Sequence, residues 1–228
     1  MTTDHDTLDL RCYLVTSGTD RHTVEVAAAA AAAGAGVIQV RAKSLSAADL
    51  LDLTCEVAVA VHEARPVTRV VVDDRADVAF AARRAGAPVH GVHLGQDDVP
   101  VAAARELLGP DAIIGLTTGT LELVEQAEQV ADLIDYVGAG PFRPTPTKDS
   151  GRPPLGVEGY RALVAATRLP IVAIGDVQAA DVPALAGTGI AGVALVRAVM
   201  EAPDPGAVVA EVLRASRPGD PPRRDAGR

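Results

Sequence analysis

Eight short runs of β-branched and small apolar residues alternate along this chain with eight alanine-rich segments of helical spacing, and that alternation narrows the fold more than any other feature. The runs are 12–15, 37–40, 69–72, 91–94, 112–115, 135–138, 170–174 and 191–196. The helical segments are 23–33, 46–64, 76–85, 99–108, 120–131, 157–167, 179–186 and about 205–215, several opening on Ser, Thr or Asp in capping positions. Strand followed by helix, repeated, predicts a parallel sheet, because parallel neighbours need a crossover between them. Eight such units with no spare element predict a single α/β domain closed as a (β/α)8 TIM barrel. The competing arrangement is an open doubly wound sheet. It would place a Gly-x-Gly-x-x-Gly after the first strand, and none follows residues 12–15.

Composition fits that frame. Aromatic residues make up 2% of the chain and Trp is absent, so the core is expected to be built from small branched aliphatics, as in helices packed on a parallel sheet. The barrel is expected over 11–216, with no linker inside it. The polar residues 1–10 and the Pro-rich 217–228 ("RPGDPPRRDAGR") read as disordered ends. A formal charge of −9 argues against nucleic acid as a partner, so any phosphate chemistry is expected to be local. Cys12 and Cys55 form no metal-like pair, and neither a signal peptide nor a membrane-spanning run is evident. The expectation is a cytoplasmic, reduced protein acting on small molecules without a membrane partner; a homo-oligomer is compatible with it.

In such a barrel the chemistry lies at the carboxyl ends of the strands, and polar residues crowd that rim. After the second run comes "QVRAK". Gln39, Arg41 and Lys43 stand at alternate positions, so extended backbone points all three one way, and Ile38, Val40 and Ala42 the other. The bland alternative is a solvated charged loop. After the third run comes "DDR" (Asp73, Asp74, Arg75), and after the fourth comes "HLGQDD", with His93, Asp97 and Asp98. Carboxylates from neighbouring loops, without Cys or clustered His, suit a hard cation such as magnesium. Against this, Asp73 or Asp74 could cap the helix that follows. The loop after the sixth run, "GPFRPTPTKDSGRPP", offers Thr145, Thr147 and Lys148, and reads either as a binding loop or as a Pro- and Gly-rich surface excursion. Gly175 in "AIGD" and Gly192 in "GVALVRAV" fall around the last two runs. There, barrels of this type bind phosphate through backbone N–H groups and a helix N-terminus.

The motifs "QVRAK", "DDRADVA", "GVHLGQDD", "IGLTTGT", "YVGAGPFRPTPTK" and "VAIGD", in that order over roughly 11–200, resemble thiamine-phosphate synthase. The resemblance implies a (β/α)8 barrel that joins hydroxymethylpyrimidine pyrophosphate to hydroxyethylthiazole phosphate, or its carboxylated form, releasing pyrophosphate with Mg2+. It implies that Gln39 meets the pyrimidine, that Arg41, Lys43 and Lys148 hold pyrophosphate, and that Asp74 and Asp98 are magnesium ligands. It places Asp73 beside the pyrophosphate, Thr117, Thr145 and Thr147 as hydroxyl contacts, and the backbone around Gly175 and Val196 at the thiazole phosphate. Arg41, Lys43, Lys148 and Thr117 thereby take catalytic roles, the others binding roles. Three departures stand out. Asp73 occupies a position where the family usually has Asn; Asp176 replaces the second Gly of a usual Gly-Gly; Thr117 replaces Ser, with Gly119 in place of a usual His. The related thiazole tautomerase needs a His in that last segment, so synthase is the favoured expectation. The aminopyrimidine can delocalise positive charge onto its exocyclic methylene, so ionisation ahead of attack by the thiazole nitrogen is the expected chemistry. The alternatives are a tautomerase-like isomerase or a non-catalytic phosphate-ligand sensor on a barrel scaffold.

Overall fold

The computed structural model describes residues 8–144, 151 and 153–216. Its strands are β1 (Cys12–Val15), β2 (Val37–Val40), β3 (Arg69–Asp73), β4 (Gly91–Leu94), β5 (Ile113–Thr118), β6 (Tyr136–Ala139), β7 (Ile171–Ala173) and β8 (Gly192–Leu195). Helices α1 (Arg21–Ala32), α2 (Ala47–Ala64), α3 (Ala76–Arg84), α4 (Val101–Leu108), α5 (Leu121–Glu128), α6 (Gly156–Ala166) and α7 (Val182–Ala186) intervene, and α8 (Arg197–Met200) and α9 (Pro205–Ala215) follow β8. Every strand pairs in parallel with its sequence neighbour, and β1 pairs with β8 through Tyr13 opposite Ala194, so the sheet closes as a (β/α)8 barrel.

Period-2 alternation divides each strand between two cores. Tyr13, Val15, Val37, Val71, Tyr136, Val172 and Ala194 point into the barrel, where Leu10 joins them. Their neighbours Cys12, Leu14, Ile38, Val40, Val70 and Val72 point outward, onto the alanine- and valine-rich faces of the helices. Small residues on both sides of this seam let the helices lie close to the sheet, which is why so few aromatics suffice. Asp20, Ser46, Thr120 and Asp204 cap α1, α2, α5 and α9, each side chain accepting a backbone N–H from the first turn.

The boundaries depart most from the sequence expectation at four places, the first being β5, which is expected to stop at 115 and runs on to Thr118, so that Thr117 stands on the strand. The expected helix 179–186 is split into a 3-10 turn at Ala179–Asp181 and then α7. Pro183 can donate no N–H and so sits in a helix's first turn, which starts α7 at Val182. The expected helix 120–131 ends at Glu128, and a 3-10 turn follows at Ala131–Leu133. The eighth run stops at Leu195, because Val196 leaves the extended region (ψ −92°), and the additional short helix α8 begins beyond it. The expected disordered ends lie outside the described residues, apart from Leu8, Asp9 and Leu10; Leu10 is buried against the barrel interior. Among the described residues no helix is long and apolar enough to cross a membrane.

Candidate active site

The carboxyl ends of the strands open into a cavity lined by Gln39, Arg41, Asp73, His93 and Thr117 on one side and by Gly175, Asp176, Val196 and Arg197 on the other. The alternation expected of "QVRAK" persists past the end of β2. Gln39 is buried (3% exposed) and faces the cavity with Arg41, while Ile38, Val40 and Ala42 pack outward. Arg41 is fixed by its backbone, whose N–H donates to Thr16 Oγ1 (3.0 Å), and by its guanidinium, which lies 3.3 Å from Asp73 Oδ2. Lys43 reaches further out and pairs with Asp74 at 2.8 Å; that carboxylate holds the ammonium in its charged form by raising its pKa. Both cations are thus paired with carboxylates of the β3 end; Arg41 lines the cavity, and Lys43 stands outside its lining.

The acids of "DDR" do not cap the following helix. The N-cap position of α3 is Arg75, which makes no side-chain cap bond and turns away to pair with Asp77 (2.5 Å). Asp73 and Asp74 are thus directed to the rim. Asp74 adopts the left-handed conformation (φ 61°), with its N–H donating to His93 O (2.7 Å). A non-glycine residue there is strained, and such strain concentrates at functional sites. Across the rim, Asp98 Oδ2 accepts the Gly95 N–H at 2.6 Å. A Cβ on Gly95 would lie 2.9 Å from Asp98 Oδ2 and 4.0 Å from Asp74 Oδ1, so a side chain at 95 would fill the point on which both carboxylates converge. Burial raises the Asp98 pKa; the Gly95 N–H opposes that shift and Asp74 reinforces it. Two converging carboxylates disfavour each other's ionisation and are relieved by a cation between them. Among the described residues no group of three or more His, Cys, Asp or Glu assembles. A pair of hard oxygen donors that leaves room for phosphate and water nevertheless fits magnesium. Asp97, the other acid of "HLGQDD", is exposed and takes no part in this convergence.

A hydrogen-bonded chain that sequence reasoning missed runs through the barrel interior. Gln39 Nε2 donates to Asp73 Oδ1 (2.6 Å), Tyr13 OH to Gln39 Oε1 (3.3 Å), and Tyr13 and Tyr136 share a bond of 2.8 Å. Tyr136 OH lies 3.0 Å from His93 Nδ1, and His93 Nε2 lies 3.0 Å from Thr117 Oγ1. Glycine at 115 leaves room for the stacked His93 and Tyr136 rings, since a Cβ there would collide with both. Burial pushes both tyrosine pKa values up, so the phenols stay neutral and each has one proton to give. Ionised Asp73 can only accept, and this sets the direction of the whole chain. Tyr13 gives its proton to Gln39, Tyr136 gives its own to Tyr13, and His93 donates from Nδ1, so that in a neutral imidazole Nε2 accepts from Thr117. In the ligand-free protein, 15N spectra are expected to show His93 protonated at Nδ1. Asp73→Asn, whose amide can donate as well as accept, is expected to mix the two tautomers. A wild-type ring protonated on Nε2 would contradict the assignment. Tyr13 and Tyr136 could have been found from the period-2 pattern, since both take inward positions on their strands.

On the opposite side, Gly175 (φ 108°) sits where a Cβ would meet Pro141 and Phe142, so β7 and the start of the β6 loop approach through backbone. Asp176 follows, also left-handed (φ 56°), and pairs with Arg197, the residue after Val196. Thr145, Thr147 and Lys148 lie outside the described residues.

Comparison with known proteins agrees with this geometry. A family model described as thiamine monophosphate synthase matches residues 12–199. The chain is 62% identical over 206 residues to a thiamine-phosphate synthase of Corynebacterium jeikeium (strain K411), covering 90% of this chain and 94% of that one. It is 62% identical over 200 residues to the Corynebacterium efficiens enzyme of the same name, covering 87% and 91%. Among solved structures, thiamine phosphate pyrophosphorylase from Pyrococcus furiosus superposes with a TM-score of 0.80 at 30% identity, covering 92% of this chain and 96% of that one.

Proposed function

From the chain's membership of the thiamine-phosphate synthase family, a family of transferases of thiamine biosynthesis, we propose that it couples hydroxymethylpyrimidine pyrophosphate to hydroxyethylthiazole phosphate, or its carboxylated form, and releases pyrophosphate. The observation that carries this reading is the rim itself. The Asp74 and Asp98 carboxylates converge beside the Arg41 and Lys43 cations, directly above a buried amide, Gln39, that can read a heterocycle.

Gln39 and the Tyr13–Tyr136–His93 chain orient the pyrimidine, with its exocyclic methylene directed up toward the rim. Arg41 and Lys43, together with Lys148, meet the pyrophosphate. Asp74 and Asp98 would hold magnesium, which when bound neutralises charge on the departing pyrophosphate. Arg41 and Lys43 strengthen their grip as negative charge builds on that group, so they favour the ionised state over the ground state. The thiazole nitrogen attacks with its own lone pair. No base is required, and the remaining work is positioning. Thr117, its proton directed to His93, turns an oxygen lone pair to the cavity. The reading places the protein in the cytoplasm, with small molecules as its ligands.

The test is to incubate the protein with both phosphorylated halves and magnesium, and to follow coupled product and pyrophosphate together. Equal amounts of the two are expected. Binding without pyrophosphate release would indicate a sensor, and conversion of the thiazole partner alone would indicate an isomerase.

A further inference from the structure

Two guanidinium groups line the cavity, on opposite sides of β1: Arg41 at the end of β2 and Arg197 after β8. Each is docked on a carboxylate, Arg41 on Asp73 (3.3 Å) and Arg197 on Asp176 (2.6 Å). The proposed function uses the first and leaves the second unexplained. Among the described residues, Asp74 and Asp176 alone combine a side chain with positive φ, and both sit at this rim beside a cation. Asp176 is kept in that conformation by its surroundings. Arg143 N donates to Gly175 O (3.2 Å), Arg143 Nη1 donates to Asp176 O (3.2 Å), and Arg143 Nη2 is anchored on Asp181 (2.5 Å). A left-handed aspartate locked this firmly aims its carboxylate at one place, the Arg197 side chain.

We propose that Arg197 binds the phosphate monoester of the thiazole substrate, and that Asp176 is the positioning residue that holds its guanidinium over the cavity. The inference rests on the coupling reaction above. A guanidinium at a half-exposed rim samples many rotamers. One held by a carboxylate along one edge is prepaid in conformational freedom and still turns its other N–H donors toward a ligand. Among the described residues Asp176 is the side chain that pairs with Arg197, which lines the cavity, so the other N–H donors of Arg197 remain for a ligand there. The division of labour follows from charge. The β2–β4 side carries two cations and a converging carboxylate pair, suited to pyrophosphate with a metal. The β7–β8 side carries Arg197 without a second converging acid, suited to a monoester without one. Asp176 follows β7 and Arg197 heads α8 after β8, so the pair ties the ends of those two strands together, beside the point where Gly175 brings backbone close to Pro141 and Phe142.

The experiment measures KM for each substrate separately in wild-type, Arg197→Ala, Arg197→Lys and Asp176→Gly proteins, with thermal melting as a check on folding. Arg197→Ala is expected to raise KM for the thiazole phosphate about tenfold or more, the scale of one charge-assisted contact. KM for the pyrimidine pyrophosphate should stay within about twofold of wild type. Arg197→Lys keeps the charge but loses the fork, and should fall between; it also serves if the alanine variant does not fold. Asp176→Gly removes the backbone strain and leaves Arg197 present but unheld, so a rise of a few-fold is expected. Equal changes in both KM values, or none, would overturn the role of Arg197. Tighter thiazole phosphate binding by Asp176→Gly would overturn the role of Asp176, since it would show the carboxylate repelling the phosphate. A wild-type protein that forms no coupled product would instead remove the reaction on which the assignment rests.

Discussion

Asp98→Ala is expected to lower kcat/KM at limiting magnesium by about a hundredfold or more, the cost of losing one preorganised electrostatic contact at a developing charge. The neighbouring Asp97→Ala should stay within about twofold of wild type. The two acids are adjacent in sequence, yet Asp98 Oδ2 turns inward to the Gly95 N–H and toward Asp74, while Asp97 is exposed. Raising magnesium should restore part of the loss, because Asp74 remains as one hard donor. Asp74 allows a second separation. Asp74→Ala must keep a Cβ at φ 61°, which costs about 1 kcal/mol, whereas Asp74→Gly takes that conformation without strain. Both should lose activity alike while their melting temperatures differ, the glycine variant being the more stable. Full activity of Asp98→Ala at limiting magnesium would remove Asp98 from metal binding, and full activity of either Asp74 variant would remove Asp74.

What the sequence made legible and what it hid have the same cause. Strand positions were readable because both faces of every barrel strand are buried, so β-branched runs such as "RVVV" stand out against alanine-rich helices. "QVRAK" was readable because alternation continues for one residue beyond β2, carrying Arg41 to the same side as Gln39. The interior chain was hidden because its members are single polar residues in apolar strands, and Tyr13 meets Tyr136 only when the barrel closes across 123 positions. Asp73 was legible as a rim acid, but not as the group that fixes Gln39, because that depends on the β2–β3 register that sets Gln39 opposite Val71, two residues before Asp73. The capping alternative for Asp73 and Asp74 could not be settled from sequence either, since Arg75 takes the N-cap position without being a capping residue type. Asp176 stood out only as an odd residue in a glycine position. Its partner Arg197 lies 21 residues on, at the head of a four-residue helix too short to leave a periodic signal.

Arg41→Ala is expected to lower turnover by about a hundredfold, with KM for the thiazole phosphate nearly unchanged. The guanidinium is already placed before substrate arrives, by Thr16 on one side and Asp73 on the other, so little reorganisation accompanies charge development on the leaving pyrophosphate. Removing it has a second consequence. Asp73, only 11% exposed at its side chain, loses a cation and leans harder on Gln39, so the ring end of the pyrimidine should also bind less well. Arg41→Lys restores a charge without the planar fork and should recover part of the turnover. If only KM for the pyrimidine pyrophosphate rises, Arg41 contributes equally to ground and transition states and is a binding contact. The same variant distinguishes ionisation from direct displacement. An electron-withdrawing group in place of the pyrimidine's ring methyl raises the barrier to a methylene cation, and each 1.36 kcal/mol of that penalty is about tenfold in rate. Arg41 acts on the departing phosphate and the substituent on the cation left behind, so for an ionising bond both effects belong to one transition state. Single-turnover rates should then fall by the product of the two factors. A substituent with no effect in either protein would mean that the thiazole nitrogen displaces the pyrophosphate directly, with little positive charge ever reaching the ring.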